Sequence, residues 1–375
     1  MKVGEIMDEK LHCLKPQDRV IDFVSLMENH NVHEAPVINE KNELIGFVHY
    51  RILAEKNVQD PTKTRIETVM IHAPKVSVNE DAEEAIKLLF ETGFRALPVV
   101  DESGKLVGMF SVTEALKYVK DEKIFSQRKC EEIMSPAIVI RMSDDIGRAR
   151  VLMREKNIST LPVVNEEDKL VGVVTVLDLL KAVQPKERIS WYSMAAEKLT
   201  LMQTPVSTVM DTAPLLAEKD TSVKDVIEKM IESGKKSCIV VEDSGPVGVI
   251  TTRDVLELYL STKKPEGVYV QYSGVRGEDE EIMLTVDRMV GDTVRKIHSV
   301  YPVQYFHMHV KKYRKTGERK LYSVRCRVLT DEGVFISHAQ AWDLRDAVGE
   351  ALDNLEKAVI KHKEREETSL KPRGV

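Results

Sequence analysis

The chain has little of several things, and each shortage removes a class of protein. Its four cysteines, Cys13, Cys130, Cys238 and Cys326, stand far apart with no CxxC pair, so neither a disulfide framework nor a zinc knuckle is expected. Long apolar runs are missing: the most hydrophobic stretch, LVGVVTVLDLL from Leu170, is short and carries Asp178. The opening MKVGEIMDEK lacks the apolar centre of a secretion signal, which makes a cytoplasmic, membrane-free location the expectation. No GxxxxGK[ST], HExxH or GxSxG occurs, so the signatures of phosphate transfer, zinc proteolysis and hydrolase chemistry are absent. We therefore expect no enzyme, no catalytic residue and no required cofactor. His307 and His309 share a strand face and His338 is a candidate neighbour, but no third ligand is specified, so no metal site is expected. The acidic run Glu278–Glu281 reads as the start of a helix rather than as acid–base machinery.

What is present points to packed domains. Hydrophobic residues make up 42% of 375 positions, too many for a disordered chain, and the length suggests two or three domains. Aromatics are only 5%, so the apolar content is mainly aliphatic, which suits strands packed under helices. The net charge of −6 is uneven: residues 1–266 carry −8 and residues 267–375 carry +2, so the two parts face different electrostatic partners.

Four segments repeat one pattern. They read EIM, HEAPVI, LIGFVHYRIL; then TVM, RALPVV, LVGMFSVTEAL; then EIM, STLPVV, LVGVVTVLDLL; then TVM, KSCIVV, PVGVITTRDVL. Met7, Met70, Met134 and Met210 precede Gly46, Gly108, Gly172 and Gly248 by 39, 38, 38 and 38 residues. Each unit reads as strand, helix, strand, strand, helix. The first strands are PKVSV from Pro74 and AIVIR from Ala137, and Asp144 and Thr221 are expected helix N-caps.

This unit resembles the CBS domain. The resemblance implies two tandem CBS-pair modules of βαββα repeats, the first repeat paired with the second and the third with the fourth. The Met-to-Met spacings of 63, 64 and 76 support that grouping. The expected bounds are 1–62, 63–126, 127–185 and 206–264 for the repeats, with 186–205, holding Trp191 and Tyr192, as a bridging linker or helix. In this family adenine nucleotides commonly lie in clefts between paired repeats, on a motif of Gly, two apolar residues, Ser/Thr, two residues and Asp. The hydroxyl faces a phosphate and the Asp accepts the ribose diol. Gly172, Thr175 and Asp178 fit it, as do Gly248, Thr251 and Asp254. Gly108, Ser111 and Glu114 fit in part, and Gly46, His49 and Ile52 lack the acceptor. The same Thr and Asp would equally serve as N-caps. AMP, ADP, ATP and S-adenosylmethionine are not separable on these residues.

After the loop signal STKKPEG the period changes. Residues 267–365 read as βαβββα, followed by a polar tail, 366–375. Ile282, Leu284, Val286, Met289, Val290, Val294 and Ile297 form the expected apolar face of its first helix, and Leu344, Ala347, Val348, Ala351, Leu352, Leu355 and Val359 that of its last. This end resembles the ribosome hibernation-promoting factor family, in its archaeal form. The last helix carries the resemblance through Asp343, Ala347, Val348, Ala351, Leu355, Glu356 and the run Lys361-His362-Lys363. Lys311, Lys312, Arg314, Lys315, Arg319, Lys320, Arg325 and Arg327 make a basic strand–turn–strand, interrupted by Glu318 alone among acids. With Lys361 and Lys363 they are the candidate RNA contacts. Tyr301, Tyr305, Phe306, Tyr313 and Tyr322 are either core residues or platforms for base stacking.

The fold class expected is thus α+β, and the function a non-catalytic ribosome-binding factor in hibernation, translation silencing or stress response. Its partner would be small-subunit ribosomal RNA, with neither DNA nor a membrane involved. The CBS array would sense an adenine nucleotide, form a homodimer or touch the ribosome itself. The alternative is a nucleotide-sensing regulatory subunit of an enzyme or transporter, with a protein-docking C-terminal domain.

Overall fold

The helices of the repeats form where an apolar stripe at helical spacing follows a residue with extended backbone. In the second repeat α2 (Ala82–Thr92) buries Ala82, Ala85, Ile86, Leu89 and Phe90, and Gly93, at φ 67°, ends it by returning its amide to Leu89. In the third, α4 (Ile146–Glu155) is capped by Asp145, and in the fourth, α6 (Val223–Ser233) by Ser222. Both caps lie one residue beyond the expected Asp144 and Thr221. Those two side chains instead accept from the amides of Arg141 and Glu218, closing the turn before each helix. The other longer helices described in the repeats are α1 (Val20–His30), α3 (Val112–Val119), α5 (Val176–Ala182) and α7 (Thr252–Ser261).

A computed structural model supplies this architecture and describes residues 1–30, 32–50, 58, 60–182, 202–263, 268–275, 278–314 and 320–369. The expected linker, with Trp191 and Tyr192, lies outside the described residues except at 202–205. The chain divides into two compact units, one built on residues 1–121 and the other on 122–179 with 203–375.

The repeats are one fold in four copies. The first pairs β1 (Glu34–Ile38) with β2 (Leu44–His49). The second orders its sheet β3 (Val76–Ser77), β4 (Ala96–Val100), β5 (Leu106–Ser111), and the third β7 (Ile140–Arg141), β8 (Thr160–Val164), β9 (Leu170–Thr175). The fourth orders β10 (Leu215–Glu218), β11 (Ser237–Glu242), β12 (Gly245–Thr251) and then β6 (Ser135–Pro136), lent by the third repeat. Register slips at the same place in all four hairpins: Val37/Ile38, Val99/Val100, Val163/Val164 and Val240/Val241. A shared bulge is stronger evidence of common ancestry than shared apolar letters, because it fixes how the hairpin twists.

The Met and Gly of the repeat signature meet across each pair rather than within a repeat. A Cβ built on Gly108 would strike the Met7 sulfur, and one on Gly46 the Met70 sulfur. Gly248 has the same relation to Met134, and Gly172 to Met210. The first repeat therefore interlocks with the second and the third with the fourth. Gly172 is the tightest against backbone: its Cβ would lie 2.8 Å from the Asp211 carbonyl oxygen, across the bridge that joins Val173 to Asp211. Gly172→Ala should cost about 1–3 kcal/mol in denaturant unfolding, because main chain cannot move aside as a methionine can. Gly291→Ala, on a helix with its nearest outside atom 3.8 Å away, should instead stabilise by up to about 1 kcal/mol.

The C-terminal domain has the expected order: β13 (Tyr269–Ser273), α8 (Glu280–His298), β14 (Val303–Arg314), β15 (Lys320–Thr330), β16 (Gly333–Ala341) and α9 (Leu344–Ser369). Strand β13 runs parallel to β14, and the other neighbours are antiparallel. One sheet face, with Phe306, Met308, Val310, Val324, Cys326 and Val328, packs under Val286, Val290, Val294 and Ile297 of α8 and under the whole expected face of α9. Leu284 does not belong to that face and is 64% exposed, because two residues from Ile282 carry it about 200° around the helix. None of the described helices is long and apolar enough to cross a membrane.

Candidate functional site

The motif hydroxyls and carboxylates of the second pair first serve their own helices. In the third repeat Asp178 Oδ2 accepts from the Thr175 amide at 2.8 Å and from Thr175 Oγ1 at 2.6 Å. In the fourth, Asp254 Oδ2 accepts from the Thr251 amide at 2.7 Å and from Thr251 Oγ1 at 2.6 Å. Both pairs are reciprocal caps. Ser111 caps α3 through the Thr113 amide and contacts Glu114. What remains for a ligand differs between the two Asp residues. Asp178 Oδ1 has no partner among the described residues. Asp254 Oδ1 lies 2.9 Å from Nη1 of Arg327, a residue of the C-terminal domain.

That contact opens onto a larger one. Residues alternate along a strand, so the sheet face opposite the core carries Gln271 and Ser273 of β13, His307 and His309 of β14, Ser323, Arg325 and Arg327 of β15, and His338 and Gln340 of β16. This polar face seats on the second CBS pair. Arg327 Nη1 also lies 2.9 Å from Glu257 Oε2, and its Nη2 donates to the carbonyl of Ile133. Arg325 donates to Ser135 Oγ at 3.3 Å. From the CBS side, Arg253 Nη2 lies 2.9 Å from both Ser273 Oγ and His307 Nε2, and Arg128 donates to Gln304 at 3.2 Å. Lys156 meets His338 at 3.3 Å.

Burial sets the electrostatics here. Arg327 is 6% exposed and Glu257 3%. Burial raises the Glu257 carboxyl above its ordinary range even against the pull of Arg327. Burial lowers Arg327, but Glu257 and Asp254 outweigh it and leave the guanidinium more firmly charged than usual. Arg325 is pushed down to about 10, chiefly by burial, and stays cationic at neutral pH. His307 is held well below the ordinary imidazole range by burial first and then by Arg253, Arg327 and Arg325.

Two expected RNA contacts, Arg325 and Arg327, are therefore withdrawn from the cationic surface. Strand alternation put them on one face correctly, but the neighbouring domain covers that face. Lys312 is tied to Glu278 at 2.6 Å. Lys320, Lys361 and Lys363 are exposed, Lys311 is half-buried, Arg314 ends β14, and Lys315 and Arg319 lie outside the described residues. Tyr301, Tyr305, Phe306 and Tyr322 are buried rather than offered for stacking. Among the described residues no group of three or more His, Cys, Asp or Glu is placed to hold a metal. A depression of about 580 Å³ beside α4, lined by Val139, Arg141, Arg148 and Val151 among others, includes neither Thr175 nor Asp178.

Sequence reasoning passed over Arg253 and Glu257. The second and third repeats have Thr113 and Leu177, then Lys117 and Lys181, at these places, but the first has Arg51 and Glu55, so the repeat pattern does not mark the pair.

Comparison with known proteins agrees with this architecture. The CBS domain model matches residues 3–57, 66–121, 130–185 and 206–261, and the model of the hibernation factor Hib C-terminal domain matches 269–374. An uncharacterized Methanocaldococcus jannaschii protein is 26% identical over 343 residues, 90% of this chain and 80% of that one. An uncharacterized 33.4 kDa protein in a ribosomal RNA operon of Thermofilum pendens is 27% identical over 66% of this chain and 87% of its own length. A crystal structure of another Methanocaldococcus jannaschii protein covers 69% of this chain and all of its own at a TM-score of 0.58 and 18% identity, which speaks to fold. The chain thus belongs to the CBS-domain family, with four repeats in two interlocked pairs and a hibernation factor Hib C-terminal domain seated on the second pair.

Proposed function

We propose that this protein is a non-catalytic ribosome-binding factor that silences or stores ribosomes, with a CBS array that reads an adenine nucleotide. The observation that carries the ribosomal half is the match of residues 269–374 to the hibernation factor Hib C-terminal domain, on a βαβββα fold that ends in a 26-residue helix. The relative in a ribosomal RNA operon and the positive balance of residues 267–375 support it. With Arg325 and Arg327 engaged internally, contact with small-subunit RNA falls to the hairpin tip, Lys311 to Lys320, and to Lys361 and Lys363 on α9. The nucleotide half rests on the Thr175–Asp178 pair, whose carboxylate uses one oxygen for its cap and, among the described residues, leaves the other for a ribose diol. The location is cytoplasmic in this reading. The CBS pairs also supply a route to a homodimer.

Sucrose-gradient co-sedimentation with small subunits at low salt tests the first half. Reversing Arg314, Lys315, Arg319 and Lys320 to Glu should reduce association at least tenfold, and the salt dependence of the wild type should flatten by about four phosphate contacts. Unchanged co-sedimentation would favour a regulatory subunit whose C-terminal domain docks protein instead. Calorimetric titration with AMP, ATP and S-adenosylmethionine tests the second half, with Asp178→Ala expected to abolish the heat from the third-repeat cleft. Silence from all three ligands would leave the array a scaffold.

A further inference from the structure

We propose that Arg327 is an internal ligand of the fourth repeat's cleft, so that the C-terminal domain and an adenine nucleoside compete for Asp254. The inference rests on the reading that the array binds adenine nucleotides, and adds to it which cleft is closed, by what, and with what consequence.

The two clefts of the second pair start from the same motif and end in different states. Each Asp spends Oδ2 on its cap. Asp178 leaves Oδ1 unused among the described residues, whereas Asp254 gives Oδ1 to a guanidinium. A guanidinium and a vicinal diol offer the same thing to a carboxylate, two adjacent donors, and the guanidinium adds a charge. Both cannot hold Asp254 at once. Strand β15 also covers the facing wall. Arg327 reaches the Ile133 carbonyl and Arg325 reaches Ser135, on the segment that pairs with β12 beside Gly248.

The fourth repeat holds this arginine with two carboxylates of one helix. Three residues beyond Asp254 stands Glu257, where the second and third repeats carry Lys117 and Lys181 and the first, which lacks the motif acid, carries Glu55. A lysine at that place would repel Arg327, and Glu257 grips it at 2.9 Å. Arg253, where the first repeat has Arg51 and the second and third have Thr113 and Leu177, takes the opposite role, donating into Ser273 and His307 of the docked sheet. Arg253 and Glu257 thus both face the C-terminal domain. A nucleotide that enters the Asp254 cleft must first displace Arg327, and this loosens the seat of the domain and bares Arg325 and Arg327 to a polyanion.

The test uses the full chain with ATP and AMP as probes and counts bound nucleotide by equilibrium dialysis. R327A should gain a site that the wild type fills at least about tenfold more weakly, since docking withholds the competent state. R327A/D254N should lose that site again. R327M/E257Q, which removes the buried charge together with its partner, is read in the same way in case R327A folds poorly. Gain of an Asp254-dependent site in either background supports the proposal. Equal nucleotide binding by the wild type, R327A and R327M/E257Q overturns it while leaving the nucleotide reading intact. Loss in R327A of an Asp254-dependent site present in the wild type also overturns it, because the arginine would then complete the site. If none of the proteins binds either probe, the nucleotide reading itself fails, and this inference with it.

Discussion

Arg327→Ala should lower the stability of the unit that holds the second CBS pair and the C-terminal domain by about 3–5 kcal/mol, a large effect for one truncation to alanine. The reason is what it leaves behind. Asp254 and Glu257 are 8% and 3% exposed, and Arg327 Nη1 lies 2.9 Å from each. Without the guanidinium, two carboxylates one helical turn apart on α7 would share a buried site. The network already has little slack, because Glu257 Oε1 and Arg327 Nε have no hydrogen-bond partner among the described residues. The loss should be recovered largely by Glu257→Gln in the same chain, since the amide needs no counter-charge. Glu257→Gln alone should cost less than Arg327→Ala, because Asp254 still holds the arginine. A double-mutant cycle in chemical denaturant, followed by a probe in each domain, measures this coupling. Additive effects of the two changes would mean that the pair is not one electrostatic unit.

Much of this could be read from the letters, and where the reading stopped has a physical reason. The fourfold pattern, the pairing of repeats and the βαβββα order follow from periodicity, since Met134 can meet Gly248 only if the third repeat locks onto the fourth. The apolar face of α9 was fully legible because seven residues at helical spacing all pack inward. Leu284 shows the limit of listing apolar residues without their angles. The basic strand shows a deeper limit. Alternation correctly placed Arg325 and Arg327 on one sheet face, but it says nothing about which body covers that face. Charge alone suggested a polyanion, and the partner turned out to be two carboxylates of the same chain. Comparison between repeats does not single that partner out, because the first repeat carries Arg51 and Glu55 at the places of Arg253 and Glu257.

The seat of the domain should also weaken in acid, and His307 should be the residue responsible for one defined part of that loss. Its Nε2 accepts from Arg253 of α7 at 2.9 Å and lies 2.8 Å from Ser273 Oγ of β13. Strand β15 sets Arg327 opposite it in register and brings Arg325 near, while His309 lies beyond on β14 and Asp254 and Glu257 face the cluster from α7. A proton on Nε2 would place N–H against a guanidinium that needs an acceptor, and would add a positive charge to three already present. Burial and those arginines therefore hold its folded pKa well below the ordinary 6.5. A lowered pKa means that the folded state binds fewer protons than the unfolded one. The contribution of His307 is complete above about pH 6.5 and falls as pH drops below it, by up to about 1.4 kcal/mol per pH unit. Glu257 works in the opposite sense: its raised pKa adds stability in acid that is lost as pH rises above 4.5 through the folded value. The raw curve mixes the two, so the quantity to follow is the difference between wild type and His307→Gln, whose amide oxygen still accepts from Arg253 but takes up no proton. That difference should be flat above pH 6.5 and widen below it, in favour of the glutamine. Two stability curves that run parallel from pH 7.5 to 5 would show that the imidazole is not titrating against its arginines.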